Sequence, residues 1–229
     1  MKGPLPSQPP PWHVTEVAET GSTNADLLAV AGTAADRTVL RTGHQTAGRG
    51  RLDRRWAAPP GTNLLVSILF RDVPDDPGEL TRRVGLAIVR AAAATVGVDA
   101  ALKWPNDVVV AGRKLAGILA QRAPEGPVVV GTGVNVGWAP DGAARLAGTT
   151  PSELLAAVLA AYDELPGDVT DEYRAALSTL GRRVRVELPD GELVGTAVDV
   201  RPDGRLVVLD ECALSHDVGV GDVIHLRPA

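Results

Sequence analysis

The chain has 229 residues, of which 45% are hydrophobic, and it carries a formal net charge of −5 at pH 7. It is long enough for one large domain, or for a domain with a small companion, and for a substantial core. The acidic balance argues against general binding to nucleic acids or anionic membranes, which usually needs a basic surface. The single cysteine, Cys212, excludes an internal disulfide and a multi-cysteine metal site.

A proline-rich lead-in, a strand and a short helix are the first elements that the sequence predicts. Residues 1–11 contain five prolines, which disfavour regular structure. They do not contain the apolar core of a signal peptide, and no run in the chain approaches the ~18 apolar residues of a membrane span, so a cytoplasmic protein is expected. Residues 12–20 are typical of a strand, and Ser22 or Thr23 is then placed to cap a helix that Gly32 ends.

Strands and helices alternate through the middle of the chain. Residues 38–43 and 62–70 are strand-like, and an arginine-rich loop lies between them. From Gly78 to Val96 apolar residues recur at helical spacing, and Gly97 ends the pattern. The remaining elements predicted here are a hairpin over 107–122 turning at Ala111 and Gly112, a buried strand in 126–138, and helices over 151–164 and 170–180.

After Gly181 the sequence changes to short alternating strands separated by Pro-Asp-Gly turns at 189–191 and 202–204. This all-β unit of about 48 residues is small for an independent domain, so we expect it to dock on the main domain. The pattern as a whole predicts an α+β protein with a C-terminal β-barrel.

The loop "GHQTAGRGRLDRRW" at 43–56 concentrates positive charge in an acidic chain, at Arg49, Arg51, Arg54 and Arg55. Glycines allow a backbone to approach a ligand closely, and guanidinium groups make forked hydrogen bonds to phosphate or carboxylate. The segment matches neither a Walker A loop nor GxGxxG. It therefore indicates phosphate binding of another design, with a solvated basic loop as the alternative.

Two further segments combine polar and apolar residues at strand ends. In "KWPNDV", Trp104 can form a flat apolar wall, and Asn106 and Asp107 can supply a donor and acceptors; an ordinary β-turn is the alternative. In "KLAGIL", Gly117 interrupts a strand beside Lys114, which is typical of close approach by a ligand or of a bulge. The "GTGVNVG" run gives a weaker glycine signal.

In this order, "STN", "GHQTAGRGRLDRRW", "KWPNDV", "KLAGIL" and "GTGVNVG" resemble the catalytic domain of biotin protein ligases, over Trp12 to about Leu180. The terminal β unit is similar to the SH3-like C-terminal domain of that family. The resemblance implies a class II synthetase-like catalytic domain at 12–181, with a mixed, mainly antiparallel sheet and flanking helices. An SH3-like barrel at 182–229 and a flexible lead-in at 1–11, too short for the winged helix of the repressor-type members, complete the expected organisation.

The family activity that the resemblance implies is a C–N bond-forming ligation. ATP activates biotin as biotinyl-5′-AMP, with Mg²⁺, and the biotinyl group passes to one lysine on the biotin carrier domain of an acyl-CoA or pyruvate carboxylase. We expect no DNA or membrane partner, and a monomer or weak homodimer.

The same resemblance assigns roles to individual positions. The catalytic residues are Lys114, Arg49 and Arg51. The biotin-binding residues are Ser22, Thr23, Asn24, Gln45, Gly48, Arg49, Gly50, Arg51, Lys114 and Gly117. The nucleotide-binding residues are Arg51, Trp56, Trp104, Asn106, Asp107 and Asn135, of which Asp107 is also the candidate metal ligand.

The chain departs from the family pattern at Asp53, where the family usually has glycine, and at Gln121, where it usually has glutamate. Two other functions stay open on the residues. A lipoate or octanoate protein ligase shares the implied fold, and a nucleotide- or RNA-binding module could use the arginine loop and the barrel. An aromatic fraction of only 3% weighs against the second, because such modules stack bases on aromatic side chains.

Overall fold

The computed structural model describes residues 10–52, 54–124, 126–188, 191–219 and 221–225. Most of the predicted lead-in, Asp53, and the turn residues Pro189 and Asp190 lie outside this described part. The helices are α1 (Thr23–Ala29), α2 (Gly78–Val96), α3 (Pro151–Asp163) and α4 (Thr170–Ala176).

The strands form two sheets. The first consists of β1 (His13–Thr20), β2 (Thr38–Gln45), β3 (Leu64–Phe70), β4 (Ala101–Lys103), β5 (Asp107–Val110), β6 (Arg113–Arg122) and β7 (Val128–Val134). The second consists of β8 (Arg183–Leu188), β9 (Gly191–Val200), β10 (Leu206–Asp210), β11 (Ser215–Val218) and β12 (Asp222–His225).

The first sheet has the strand order β1-β2-β3-β7-β6-β5-β4. Only the pairing of β1 with β2 is parallel, and the other pairs are antiparallel. Strands β3 and β7 lie at its centre and are buried along their whole length, as their continuous apolar sequences indicate. Helices α2 and α3 pack together and bury the core on this sheet. The predicted α+β fold with a mixed, mainly antiparallel sheet is confirmed.

Local sequence signals explain where several elements begin and end. The side chain of Ser22 accepts a hydrogen bond from the Ala25 backbone and caps α1. Gly97 ends α2 with φ 65°, a left-handed conformation that costs glycine little. Ala111 and Gly112 both have positive φ, 49° and 73°, as the tight hairpin turn between β5 and β6 requires.

Two predicted helix ends were wrong, and one strand was missed. Helix α1 ends at Ala29, and its C-cap is Val30 rather than a residue at Gly32. Helix α4 ends at Ala176 instead of reaching 180, because Leu177 is extended and bridges Leu102 on β4. Strand β4 itself was not predicted, since three residues are too few to show a periodicity.

The second sheet has the order β11-β10-β9-β8-β12, all antiparallel, and it fits the SH3-like unit expected after residue 181. It docks on the first part of the chain through a shared hydrophobic cluster, which includes Val184 and Leu206, and through polar contacts. The indole Nε1 of Trp104 donates to the Gly204 carbonyl at 2.8 Å, and Arg82 donates to the Pro202 carbonyl at 3.2 Å. No helix in the described part of the chain combines the length and the apolar character needed to cross a membrane.

Candidate active site

A pocket of about 460 Å³ lies where the two sheets meet. Its walls come from the start of α1, the arginine loop, the segment around β4 and β5, strands β6 and β7, and the first residues of β12. All of the predicted site residues except Gly48 line it, although they are spread from Ser22 to Asn135. The structure therefore brings the separate sequence segments together in one place.

The inner end of the pocket is a buried network of neutral side chains. Gln45 Oε1 accepts from the Thr23 backbone N at 2.8 Å and from its hydroxyl at 3.1 Å. The Ser67 hydroxyl lies 2.7 Å from Thr23 Oγ1 and 2.6 Å from Asn24 Oδ1. Thr23, Asn24 and Ser67 are 3%, 6% and 0% exposed, so this end is fixed in place.

Asn24 connects this network to strand β6. Its Nδ2 donates to the Leu119 carbonyl at 3.2 Å and to Gln121 Oε1 at 2.8 Å. Gln121, which stands where the family pattern has glutamate, thus keeps an acceptor for Asn24 while remaining uncharged. Ser67 was not predicted as a site residue, although a single polar residue within the apolar run "LLVSILF" was a usable signal.

Glycines on β6 and β7 give the pocket a bare floor, meaning that no side chain projects from the sheet there. Gly117 and Gly133 are cross-strand partners on β6 and β7, and the Trp56 ring covers both. A Cβ on Gly133 would lie within 3.0 Å of the Trp56 indole, and a Cβ on Gly131 would do the same to the Asn24 amide. The buried Nε1 of Trp56 has no hydrogen-bond partner among the described residues. Trp56 therefore lies flat on backbone, with its polar atom inside the site.

The arginine loop folds back on itself over this floor. The Gly50 backbone N donates to the Arg54 carbonyl at 2.6 Å, and the Trp56 backbone N donates to the Gly48 carbonyl at 3.0 Å. A Cβ at Gly48 would collide with the Trp56 carbonyl, so this position needs glycine even though it does not line the pocket. The predicted effect of Asp53 on the loop falls outside the described residues.

Two arginines of the loop reach across the pocket mouth. Arg51 donates to Asn106 Oδ1 at 3.1 Å and to the Gly221 carbonyl at 3.2 Å. Arg54 Nη2 lies 2.6 Å from a carboxylate oxygen of Asp222 on β12. The outer end of the pocket is thus charged, and the second sheet forms part of it, which the sequence did not indicate.

Lys114 and Asp107 form an ion pair at the same end, with Nζ 2.7 Å from Oδ1. The two residues lie on neighbouring strands β5 and β6, and Lys114 Nζ is also 5.8 Å from the centre of the Trp56 ring. The Lys114 side chain is 43% exposed, so it can reach a ligand in the pocket. This pair places a cation and a carboxylate side by side, next to the bare floor.

Two predicted nucleotide-binding residues have their polar atoms engaged within the protein. Trp104 is 3% exposed and bonds to the Gly204 carbonyl, so it joins the two sheets. Asn135 is 2% exposed, donates to the Ala144 carbonyl at 3.0 Å and accepts from Asn63 at 3.3 Å. Both line the pocket, and their direct contact with a nucleotide stays a prediction.

One histidine lies close behind the pocket mouth. His225 follows Ile224, which lines the pocket, and its ring is 3.3 Å from Thr179 Oγ1. Desolvation by burial, with nearby Lys103 and Arg182, lowers the pKa of His225 to about 4. The ring is therefore neutral at physiological pH and adds no charge to this end of the site.

Comparison with known proteins bears directly on this pocket. Residues 19–138 match the biotin/lipoate A/B protein ligase family, and residues 179–226 match the biotin protein ligase C-terminal domain. The chain belongs to the biotin/lipoate A/B protein ligase family. Within it, a biotin–[acetyl-CoA-carboxylase] ligase of Mycobacterium tuberculosis is 44% identical over 94% of this chain and 90% of the relative. Another ligase of that name, from Paracoccus denitrificans, is 38% identical over 59% of each chain.

The fold agrees with this membership. A biotin protein ligase from Aquifex aeolicus, solved in complex with biotin and ATP, superposes with a TM-score of 0.82 and 24% identity. The match covers 93% of this chain and 99% of that protein. It therefore includes both sheets, and the second sheet is a shared part of the fold.

Proposed function

We propose that this member of the family attaches biotin to a lysine on the biotin carrier domain of a carboxylase, using ATP and passing through biotinyl-5′-AMP. The observation that carries the proposal is a single pocket with two unlike ends, one neutral and hydrogen-bonding, the other cationic. Such a pocket suits a ligand with a neutral polar head and a carboxylate that must meet a triphosphate. The 44% identical relative named as a biotin–[acetyl-CoA-carboxylase] ligase supports the same conclusion.

The inner end supports recognition of the ureido group of biotin. Because the Gln45 oxygen is engaged by Thr23, its amide nitrogen is left to donate to the ligand. Ser22 and Thr23 add hydroxyl groups at the same end. Neutral donors and acceptors in fixed positions discriminate well between ligands, since a ligand without matching groups leaves buried polar atoms unpaired.

In the first step, a carboxylate oxygen of biotin attacks the α-phosphorus of ATP. A P–O bond forms, the bond to the bridging oxygen breaks, and pyrophosphate leaves with its electron pair. Lys114 is placed to exchange its partner Asp107 for the reacting carboxylate and α-phosphate, which stabilises the charge that develops there. Arg49 and Arg51 supply further cations from the loop.

In the second step, the amine of the acceptor lysine attacks the carbonyl carbon of biotinyl-5′-AMP. A C–N bond forms, AMP leaves, and the amine loses its proton. Neither step needs a covalent enzyme nucleophile, so the protein contributes positioning and electrostatic stabilisation. Closure of the arginine loop shields the mixed anhydride from water between the two steps.

Magnesium would enter with ATP. When bound, Mg²⁺ neutralises the phosphate oxygens and the departing pyrophosphate. Asp107 would hold it, because Mg²⁺ is usually bound by one or two carboxylates together with substrate phosphates.

The deciding experiment is incubation with biotin, MgATP and a purified biotin carrier domain, followed by mass measurement of that domain. We expect the mass to increase by one biotinyl group, and no increase when its acceptor lysine is replaced by arginine. The rival function is tested in the same assay with lipoate or octanoate in place of biotin. Modification of a lipoyl domain, without pyrophosphate exchange that depends on biotin, would contradict the proposal.

The proposal also sets expectations for partners and location. ATP and a carboxylase are needed together, which favours action in the cytoplasm. We expect a monomer or weak homodimer, which light scattering can check. We also expect no binding to DNA, which a gel-shift assay can check.

A further inference from the structure

The first residue of β12 carries a carboxylate that points at the arginine loop. Asp222 lies 2.6 Å from Arg54 Nη2 and 3.8 Å from Arg51 Nη1, and its side chain is only 19% exposed. The preceding Gly221 carbonyl accepts a hydrogen bond from Arg51 at 3.2 Å. Two consecutive residues of the second sheet therefore engage two arginines of a loop that is about 170 residues away in sequence.

The segment that presents Asp222 is held firmly. Asp222 pairs with Glu187 of β8, and Val223 beside it is 5% exposed. Gly221 has φ 141°, and a Cβ there would lie 2.8 Å from the Glu187 carbonyl, so only glycine fits this approach. Asp222 thus projects from a fixed backbone.

The loop, by contrast, depends on its contacts for its position. It contains Gly48 and Gly50, and ordering glycine is entropically costly. Among its described residues 49–55, the polar side-chain contacts beyond this stretch are those of Arg51 with Asn106, of Arg51 and Arg54 with Gly221 and Asp222, and of Arg55 with the Thr46 carbonyl at 3.3 Å. The contacts with Gly221 and Asp222 are a large share of what fixes the loop across the pocket.

We propose that Asp222 is a latch: it holds the arginine loop over the pocket by standing in for an anionic ligand. It is a positioning residue, because it acts through Arg51 and Arg54 and has no need to touch a substrate. Phosphate groups that enter the pocket compete with it for the same guanidinium groups. The second sheet thereby controls how far the loop opens before ligands arrive.

Hydrogen exchange of the ligand-free protein tests this directly, since the folded loop protects the backbone N–H groups of Gly50 and Trp56. In Asp222→Asn we expect these amides to exchange about three- to tenfold faster, as for the loss of a partly buried ion pair. The matched control is Asp217→Asn, which removes a carboxylate paired with Arg201 at 3.1 Å in the same sheet. That variant should leave the loop unchanged.

Arg54→Gln and the double variant complete the test. If Asp222 acts through Arg54, Arg54→Gln should also speed loop exchange, and the double variant should be no faster than the faster single variant. Loop exchange in Asp222→Asn at the parent rate would overturn the proposal. Equal acceleration of the amides in β9 and β10 would overturn it too, because it would show a loss of folding rather than a latch.

A second readout rests on the proposed function. Because the phosphate of biotinyl-5′-AMP competes with Asp222 for Arg54, Asp222→Asn should retain the adenylate at least as long as the parent, with the KM for biotin unchanged. Faster release would show that Asp222 does not stand in for the ligand. If neither protein forms the adenylate, the proposed function fails, and the exchange experiment still decides whether Asp222 is a latch.

Discussion

The inner and outer ends of the pocket are held in different ways. At the inner end, Thr23, Asn24 and Ser67 are buried, neutral and hydrogen-bonded to their neighbours. At the outer end, the Arg51 and Arg54 side chains are 26% and 65% exposed and engage a carboxylate on another sheet. One end is part of the core of the protein, and the other is a loop secured by ion pairs.

This difference teaches how one pocket can be selective and still open and close. A buried neutral network is rigid, and breaking it leaves polar groups unpaired, at a cost of about 1–3 kcal/mol each. An exposed ion pair contributes only about 0–1 kcal/mol and is weakened by salt. Selectivity therefore belongs to the inner end, whereas the outer end can exchange its partners during each turnover.

The largest expected effect comes from removing the cation at the centre of the outer end. Lys114→Ala should slow adenylation roughly 10²–10³-fold, as for a lost electrostatic donor. The measurement is pyrophosphate exchange that depends on biotin. Arg122→Ala is the control, because Arg122 is an exposed basic residue at the far end of the same strand. An exchange rate equal to that of the parent would remove Lys114 from the reaction.

The next effect concerns retention of the intermediate. Arg51→Gly removes the bonds to Asn106 and Gly221, so the loop should open more readily. Hydrogen bonds of charged groups contribute about 1.5–3 kcal/mol, which predicts roughly 10- to 100-fold faster release of biotinyl-5′-AMP. Escaped adenylate should then label lysines of a bystander such as serum albumin. Arg113→Gly, in the exposed β5–β6 hairpin, should show neither change.

A smaller effect is expected at the inner end. Ser67→Ala leaves the buried Asn24 Oδ1 without its donor, and we expect the KM for biotin to rise about tenfold while the KM for ATP stays the same. Thr42→Val is the control, since it removes a fully buried hydroxyl from neighbouring strand β2, outside the pocket. If both variants change the KM for biotin equally, the inner network is not specific to the ligand.

The smallest effect is a pH dependence of stability behind the outer end. Burial lowers the pKa of His225 to about 4 from 6.5, so the folded protein favours the neutral ring. The stability that the neutral His225 ring contributes is fully present above pH 6.5. It is lost as the pH falls toward 4, because the unfolded chain takes up the proton first. We expect the loss to be about 1 kcal/mol after solvent screening. In urea unfolding, the free energy of unfolding of the parent, relative to that of His225→Asn, should fall by this amount between pH 7 and pH 4.

The elements of the fold were predictable where the signal is local. Ala111 and Gly112 mark a hairpin, and Gly97 ends a helix, because single residues fix those backbone angles. The early end of α4 was not predictable. It results from the bridge between Leu177 and Leu102, two residues that only the tertiary fold brings together.

The site, too, was predictable only where the sequence signal is local. Motifs such as "KWPNDV" indicated which segments line the pocket, but not which side chains the protein itself uses. Trp104 and Asn135 were assigned to a nucleotide, yet their polar atoms bond to the carbonyls of Gly204 and Ala144. Asp222 has no motif at all, because its position at the mouth depends on how the second sheet docks.

The glycines in the floor of the pocket limit which substitutions the protein can tolerate. At Gly131 and Gly133 the space for a Cβ is already taken by Asn24 and Trp56. Every other amino acid has a Cβ, so even alanine would clash at these two positions, and a smaller or more similar side chain would be no better tolerated. A saturation library should therefore return all-or-none scores there, while Ser67 or Gln121 would show a graded series of tolerated replacements.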